Sequence, residues 1–313
     1  MFDTIYLKLP AKEAGVGNAV QHIAPLLSDV GLHRFADGGT SLCGSLGCLS
    51  VSVSDYSISV FKGSICKWYL GDNFQALGKR DYRDAIENLS DALHLPMEKA
   101  SVSRVDVANN IILKYPVEVY LQHLGRCSNF TRIEQPTAVD YRQKGREKEA
   151  AFYDKVREQK TRHNTIPELY QNRNVLRYEY RHLSRLCKQF NVPVVQASTL
   201  SDDGFYSQII QHWAEFYQTI HKEKETQINM DKMKGVKDLQ RLGILALIEK
   251  AGSEQALLQQ VQMEQKKGLD RKAAQDIRNA IKRAVRTDDV LTIESEAVKE
   301  LDTKIKDTAK MYG

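Results

Sequence analysis

The sequence predicts an α+β protein in which an antiparallel sheet carries helices on one face and a helical region follows. Before residue 200, short segments alternate apolar and polar residues with the period of a strand, as in Cys48–Phe61 (CLSVSVSDYSISVF). Beyond residue 201 the apolar spacing becomes helical, for example in Val236–Lys250 and Ser253–Lys267. We therefore expect a sheet-based domain over residues 1–200 and a helical region over residues 201–313.

The first hundred residues are predicted to contain four strands and two helices. Thr4–Leu9 alternates before Pro10 and predicts an opening strand, whereas Val16–Val30 has helical spacing. Cys48–Phe61 predicts two strands with a turn near Asp55, and Ser64–Leu70 (SICKWYL) predicts another strand. A helix is expected over Arg80–Leu93, with Pro96 beyond its end.

The second hundred residues predict three strands around short helices or loops. Ser103–Leu113 is a strand and Val117–Gln122 begins a helix. Glu149–Arg157 and Val175–Leu183 are the next two strands, and the polar segment between them forms a loop or a short helix.

Composition favours a globular protein that is neither secreted nor embedded in a membrane. The chain has 313 residues, of which 42% are hydrophobic and 27% are charged. It has no apolar run long enough to span a bilayer, and its start does not resemble a signal peptide. The five cysteines include no CxxC pair, so we expect reduced thiols in a cytoplasmic protein without a membrane partner.

Positive charge is concentrated in one part of the chain. The net charge is +5 overall, but residues 141–188 contain 13 lysines and arginines against 6 acidic residues. This basic excess suits a polyanion such as DNA, and a solvated charged surface is the alternative.

Successive side chains point to opposite faces of a strand, so residues with the same strand parity share a face. This parity places ionisable residues together on one face of each of three predicted strands. Opposite faces carry apolar residues, which include Tyr178 and Tyr180. Charged faces of this kind suit the floor of an active site better than a core. The residues that share a polar face are Arg104 with Asp106, Tyr153 with Lys155 and Arg157, and Arg177 with Glu179 and Arg181.

Two of these carboxylates are candidate ligands of a divalent metal ion. Asp106 and Glu179 supply the oxygen atoms that Mg²⁺ prefers, and such an ion would neutralise a phosphodiester. Arg104, Arg177 or Arg181 would then hold the backbone phosphates. The alternative is that each acid forms a structural ion pair with an arginine across the sheet.

One tyrosine has the surroundings that a nucleophile needs. A phenol with a reference pKa of about 10 attacks poorly unless nearby cations favour the phenolate. Parity places Lys155 and Arg157 beside Tyr153, in the segment KEAAFYDKVRE. The sequence contains no Walker A loop, no GxGxxG, HExxH or GxSxG motif and no His-x-His pair.

The ordered series of segments resembles the gene II/X family of phage and plasmid replication initiators, of which the filamentous-phage gene II protein is typical. The matching segments cover most of residues 1–195, and a similar strand order occurs in the Rep_trans plasmid initiators. They are FDTIYLKLP, SRVDVANNI (Ser103–Ile111), AAFYDKVREQ (Ala150–Gln159) and VLRYEYRHLSRLCKQFNVP (Val175–Pro193).

The resemblance implies a site-specific endonuclease that nicks and rejoins DNA for rolling-circle replication. Tyr153 matches the nucleophile that would form a 5′-phosphotyrosine, and Asp106, Glu179 and Glu158 match acidic positions that would bind Mg²⁺ or Mn²⁺. Arg104, Lys155, Arg157, Arg177 and Arg181 would contact nucleic acid. The implied partners are single-stranded or hairpin origin DNA and a host polymerase and helicase.

Several alternatives stay open at this stage. The same sheet would also serve a non-catalytic origin-binding or regulatory protein, and a metal-dependent hydrolytic nuclease would leave no covalent adduct. The helical region would recognise duplex DNA or form an oligomer. Its basic helix Arg271–Arg286 is a candidate for the first role, and an ordinary amphipathic helix is the alternative.

Overall fold

A computed structural model describes residues 1–34, 40–223, 235–286 and 295–313. The chain divides into two compact units, the first of residues 1–221 and 301–313 and the second of residues 222–300. The helix Asp203–Thr219 and the end of the last helix thus belong to the same unit as the sheet. The predicted functional division into residues 1–200 and 201–313 stays a prediction.

A ten-stranded sheet is formed by the described residues of the first unit, and every neighbouring pair is antiparallel. The spatial order is β2-β3-β4-β5-β1-β6-β10-β9-β8-β7. The strands are β1 (Phe2–Pro10), β2 (Ser28–Arg34), β3 (Thr40–Leu46), β4 (Leu49–Val53), β5 (Ser57–Lys62), β6 (Ser101–Leu113), β7 (Phe130–Gln135), β8 (Ala138–Gln143), β9 (Lys148–Asp154) and β10 (Asn174–His182).

Helices complete both units, and within the described residues no helix is both long and apolar enough to cross a membrane. They are α1 (Ala19–Ile23), α2 (Ile65–Leu70), α3 (Lys79–Leu93), α4 (Val117–Gln122), α5 (Lys155–Thr161), α6 (Leu186–Phe190), α7 (Asp203–Thr219), α8 (Val236–Ala251), α9 (Glu254–Lys266), α10 (Arg271–Arg286) and α11 (Glu296–Tyr312).

The predicted fold class, an antiparallel sheet with helices and a helical C-terminal region, is confirmed, but some elements differ. Ser64–Leu70 is not a strand, because the Ser64 side chain accepts a hydrogen bond from Lys67 N at 3.1 Å and so begins helix α2. Gly71, at φ 85°, ends that helix. The predicted helix Val16–Val30 is only the short α1 followed by β2, and the hairpin β7–β8 was not predicted.

An aromatic layer joins the apolar face of the sheet to the long helices. Tyr178 of β10 stacks between Phe152 of β9, with centroids 4.2 Å apart, and Trp213 of α7, at 4.7 Å. Its hydroxyl donates a hydrogen bond to the carbonyl of Trp213 at 2.6 Å. Nearby, Tyr180 stacks on Phe216 of α7. The prediction that Tyr178 and Tyr180 lie on the apolar face is therefore confirmed.

Helix α3 and the end of α11 lie on the same face as α7. Tyr82 of α3 packs edge-on against Phe2 of β1, which pairs with Val107 of β6. Thr308 of α11 accepts a hydrogen bond from Asn109, which pairs with Tyr178. With these helices covering the apolar face, the other face of the sheet keeps the ionisable residues, beside the short helices α2 and α5.

We predict that Phe152→Ala lowers the free energy of unfolding by about 3 to 5 kcal/mol, because it removes a fully buried ring from this stack. Urea unfolding followed by circular dichroism measures the change. Tyr56→Ala is the control, since Tyr56 is 87% exposed and its loss should cost less than about 0.5 kcal/mol. Equal effects of the two substitutions would contradict this account of the core.

Candidate functional site

The polar face of strands β6, β10 and β9 forms a regular array, because directly paired residues of antiparallel strands share a face. Parity predicted this face correctly for β6 and β10. In successive rows, Arg177 lies between Asn110 and Tyr153, Glu179 lies between Ala108 and Ala151, and Arg181 lies between Asp106 and Glu149.

Glu179 is the centre of the array, and its carboxylate accepts hydrogen bonds from three side chains. Oε1 accepts from Arg177 Nε at 2.7 Å and from the Tyr153 hydroxyl at 2.9 Å. Oε2 accepts from Arg181 Nη2 at 2.6 Å and Nε at 3.0 Å. The alanines on either side, Ala108 and Ala151, leave room for these longer side chains to converge.

Electrostatics keep Glu179 ionised and Tyr153 protonated. Burial disfavours the Glu179 carboxylate, but Arg177 and Arg181 hold its pKa well below the usual range. Burial raises the pKa of Tyr153 far above its usual value, and the negative charges of Glu179 and Glu158 add to this effect. Tyr153 is therefore a protonated phenol that donates a hydrogen bond to the ionised Glu179 carboxylate.

Arg177 is buried under this array, with 2% of its side chain exposed. Nη1 donates to the carbonyl of Asn73 at 3.0 Å, and Nη2 lies 2.9 Å from Asp3 Oδ1. The predicted contact of Arg177 with DNA does not fit this burial, because its guanidinium is surrounded by protein groups. Its position instead suits a residue that holds Glu179 and Asp3 in place.

The prediction that Lys155 and Arg157 share a strand face with Tyr153 is wrong. Strand β9 ends at Asp154, whose side chain accepts a hydrogen bond from Arg157 N at 2.9 Å and so begins helix α5. Strand parity does not apply beyond that residue. Glu158 lies in the same helix.

The three predicted site residues of helix α5 have different partners: Lys155 and Glu158 pair with each other, whereas Arg157 pairs with Glu118. Lys155 is buried, and its Nζ lies 3.0 Å from Glu158 Oε2. Burial lowers the pKa of Lys155 to about 8, the charge of Arg177 adds to the effect, and Glu158 opposes it. Arg157 is instead 59% exposed and lies 3.5 Å from Glu118. Of the two predicted basic groups, only Arg157 is accessible to a ligand.

Arg104 and Asp106 form a two-pronged ion pair on β6, with N–O distances of 2.8 and 2.7 Å. The Arg104 guanidinium also lies over the Tyr6 ring, 5.0 Å from its centroid. Burial raises the pKa of Asp106 to about 6, although the ion pair with Arg104 acts to lower it. The negative charge of Glu179 adds to the effect of burial.

A cleft of about 500 Å³ opens in front of Tyr153. Arg181, which is 25% exposed, lies in its wall and approaches Glu149 at 3.5 Å as well as Glu179. Two further arginines, Arg157 and Arg162, line the cleft from α5 and the residue that follows it. Tyr153 thus lines a cleft that three arginines also line.

The model of a known protein family, described as the N-terminal part of the gene II replication-associated protein, matches residues 1–201. The chain belongs to this family. The resemblance to the gene II/X initiators, inferred from the motifs, is thereby confirmed. The matched range contains all ten strands, Tyr153 and the residues that converge on Glu179.

The fold of this replication-associated protein is similar to a solved rolling-circle replication initiator protein from Geobacillus stearothermophilus. The two chains are 11% identical, the match covers 78% of this chain and 96% of that chain, and the TM-score is 0.39. No curated protein matches the sequence.

The acidic residues predicted to bind Mg²⁺ or Mn²⁺ do not fit a metal ion as they are arranged. Asp106 is occupied by Arg104, Glu179 by two arginines, and Glu158 by Lys155 and Arg162. Among the described residues, no group of three or more histidine, cysteine or acidic side chains could hold a metal. The contacts of Asp106 and Glu179 match the alternative of structural ion pairs, and their role as metal ligands stays a prediction.

Four residues of this site were not predicted from the sequence. Glu149 and Ala151 precede Tyr153 by four and two residues, so parity alone could have placed them on its face. Asp140 of β8 pairs with Ala151 of β9. The apolar residues on either side of it, Val139 and Tyr141, are buried, and this alternation was the signal in the sequence that could have predicted the strand. Asp3 has no such signal, because it reaches Arg177 only through the pairing of distant strands.

We predict that Arg177→Met destabilises the protein by about 3 to 5 kcal/mol at pH 7, because it leaves buried Glu179 and Asp3 without their cation. Without Arg177, Glu179 loses the interaction that depresses its pKa, so the loss should shrink as pH falls towards 5. Urea unfolding at both pH values measures it. Arg162→Met, at a side chain that is 64% exposed, should cost at most about 1 kcal/mol. An Arg177→Met loss as small as this would contradict the assigned role.

The raised pKa of Asp106 predicts a second dependence of the free energy of unfolding on pH. Its pKa is about 6 in the folded protein and 3.8 as the reference, so the folded state retains a proton between these values. Stability should therefore fall by about 2 to 3 kcal/mol from this residue as pH rises from 4 to 6.

Asp106→Asn should remove that contribution, as measured by the difference in urea unfolding between pH 4 and pH 6.5. Asp84→Asn, which changes an exposed acid on α3, is the matched control. If Asp106→Asn leaves the wild-type slope intact, Asp106 is not the group responsible.

Proposed function

We propose that this protein initiates rolling-circle replication by nicking one DNA strand with Tyr153 and later rejoining it. The observation that carries the proposal is the hydrogen bond of 2.9 Å from the Tyr153 hydroxyl to the Glu179 carboxylate, with Tyr153 lining an arginine-lined cleft. A weak nucleophile is activated when a base within hydrogen-bond reach accepts its proton. Membership of a replication-associated family supports DNA as the substrate.

Glu179 is a poor base in the resting arrangement, because two arginines depress its pKa while burial raises that of Tyr153. Arg181 is the more exposed of these two arginines and lines the cleft. A phosphate entering the cleft would compete with Glu179 for the Arg181 guanidinium. If Arg181 pairs with the phosphate instead of Glu179, the pKa of Glu179 rises. Glu179 would then become a better base at the moment when Tyr153 needs activation.

The proposed reaction exchanges one phosphoester for another. The Tyr153 oxygen attacks the phosphorus, the Tyr153 proton passes to Glu179, and the bond from phosphorus to the 3′ oxygen breaks. The leaving 3′ oxygen takes a proton from water, and Glu179 returns the tyrosine proton to the hydroxide that remains. The products are a 5′-phosphotyrosine and a free 3′-hydroxyl, and the reverse reaction rejoins the strand without ATP.

The proposed substrate is an exposed strand, either single-stranded origin DNA or a hairpin. Arg157, Arg162 and Arg181 would hold backbone phosphates at the cleft, and Arg104 lies on the same face of the sheet. A host polymerase would extend the 3′-hydroxyl, and a host helicase would open the duplex. The requirement for Mg²⁺ or Mn²⁺ that the resemblance implies does not fit these ion pairs, so the arginines of the cleft would neutralise the phosphate.

One observation favours a second function, non-catalytic binding of origin DNA. The pKa of Tyr153 is raised rather than lowered, and its hydroxyl already has a hydrogen-bond partner. A protein that only binds DNA would need no more than this. Formation of a covalent adduct separates the two functions.

We predict that Tyr153→Phe abolishes both nicking of a supercoiled origin plasmid and the covalent attachment of protein to a labelled 5′ end, while DNA binding persists. The phenylalanine keeps the ring and removes only the attacking oxygen. A denaturing gel detects the adduct. The matched control is Tyr180→Phe, which removes a hydroxyl from the opposite, apolar face of the sheet and should leave nicking unchanged.

Two results would contradict the proposal. Nicking and an adduct that survive in Tyr153→Phe would assign the nucleophile to another residue. Salt-sensitive binding of the wild-type protein to origin DNA, with no adduct under any condition, would favour the non-catalytic function.

A further inference from the structure

The second unit is built around a small apolar cluster shared by three helices. Val261 of α9 and Ala274 and Ile281 of α10 are its buried members. Partly buried side chains from α8, α9 and the following turn pack against them, namely Ile244, Ile248, Leu257, Leu258 and Leu269. One face of α10 is thus committed to the core of this unit.

The connection between α9 and α10 is short and has a defined geometry. Four residues, Lys267–Asp270, join the two helices. Gly268 has φ 121°, a backbone conformation that residues with a side chain rarely adopt. The Asp270 carboxylate accepts hydrogen bonds from Lys272 N at 2.9 Å and Ala273 N at 3.0 Å, and so caps α10. A turn of three or four residues containing glycine is typical of helix-turn-helix motifs.

The excess of positive charge in this part of the chain is carried by α10. The helix has six lysines and arginines and one acidic residue, whereas residues 235–270 carry five of each. Arg271, Lys272 and Lys282 are exposed, and α10 turns a different face, with Ala274 and Ile281, towards the cluster. The exposed charge is therefore a feature of one helix face rather than of the whole unit.

Amide and guanidinium side chains lie along the same helix between the charged ends. Gln275 donates a hydrogen bond to Asn279 at 3.2 Å, and Arg278 donates to Gln275 at 3.2 Å and to Gln265 of α9 at 2.8 Å. Arginine, asparagine and glutamine are the side chains that most often pair with base edges in the major groove, while flanking lysines contact phosphates.

We propose that α10 is a recognition helix that binds duplex DNA in the major groove. The first turns would place Lys272, Gln275 and Asn279 at the bases, as in helix-turn-helix proteins, and Arg271 and Lys282 at the phosphates. The identity of this duplex as origin DNA rests on the proposed nicking function. Duplex binding itself does not, since it uses residues outside the family-matched range 1–201.

The test measures the binding of the full chain to a labelled duplex of random sequence, about 25 base pairs long, as a function of salt. The variant R271Q/K272Q/K282Q removes three exposed charges from α10. The control K237Q/K250Q/K266Q removes three exposed lysines from α8 and α9. We expect the α10 variant to bind at least about tenfold more weakly at about 0.1 M salt, while the control binds like wild type.

The salt slope should also fall by about 0.9 for each phosphate contact removed, so by up to about 1.8 in the α10 variant, which loses the two proposed phosphate contacts of Arg271 and Lys282. Equal affinities and slopes for the two variants would overturn the proposal. A charge-preserving variant, K272R/K282R, should bind like wild type, which separates the loss of positive charge from the loss of these particular side chains. Adduct formation on a single-stranded origin oligonucleotide should be unchanged in the α10 variant, so failure here is distinguishable from failure of the nicking function.

Discussion

A carboxylate buried in a sheet must be compensated by cations, and Glu179 sets this requirement for the whole site. An uncompensated charge in this position would be costly enough to shift its pKa or unfold the region. Two arginines from its own strand, Arg177 and Arg181, supply the compensation at 2.7 and 2.6 Å. The alanines on both neighbouring strands are the matching constraint, since larger side chains there would block these contacts.

The two arginines have different surroundings, and this difference connects structure to the proposed chemistry. Arg177 is enclosed by Asp3, Asn73 and Asn110, so it is fixed. Arg181 reaches the cleft and shares its charge between Glu179 and Glu149. One arginine thus stabilises the fold while the other is available to a phosphate. The hydroxyl of Tyr153 depends on both, because they position the carboxylate to which it donates.

Strand parity predicted the array on β6 and β10 because those strands run without interruption through the predicted segments. It failed beyond Tyr153, where a single capping residue, Asp154, converts an alternating pattern into a helix and turns Lys155 inward. Capping is a local hydrogen-bond choice, and the alternation of neighbouring residues does not reveal it.

Long-range pairing explains the residues that no local pattern could have found. Asp3 meets Arg177 only because β1 and β10 both lie beside β6 in the sheet. The ion pairs of the predicted metal ligands are local instead: Arg104 lies two residues from Asp106 on β6, and Arg177 and Arg181 each lie two residues from Glu179 on β10. Each ligand was predicted because it is an acid, but its cationic partner limits what it can bind. Asp106 and Glu179 are therefore engaged in ion pairs as arranged here, and their role as metal ligands stays a prediction.

The most direct test of the central claim is mass spectrometry of the peptide that remains attached to origin DNA after digestion. Trypsin cleaves after Lys148 and Lys155, so Tyr153 lies in the peptide EAAFYDK. The account predicts a nucleotide adduct on that peptide, carried by its single tyrosine. An adduct on a peptide containing Tyr178 and Tyr180, or on any other tyrosine, would contradict it.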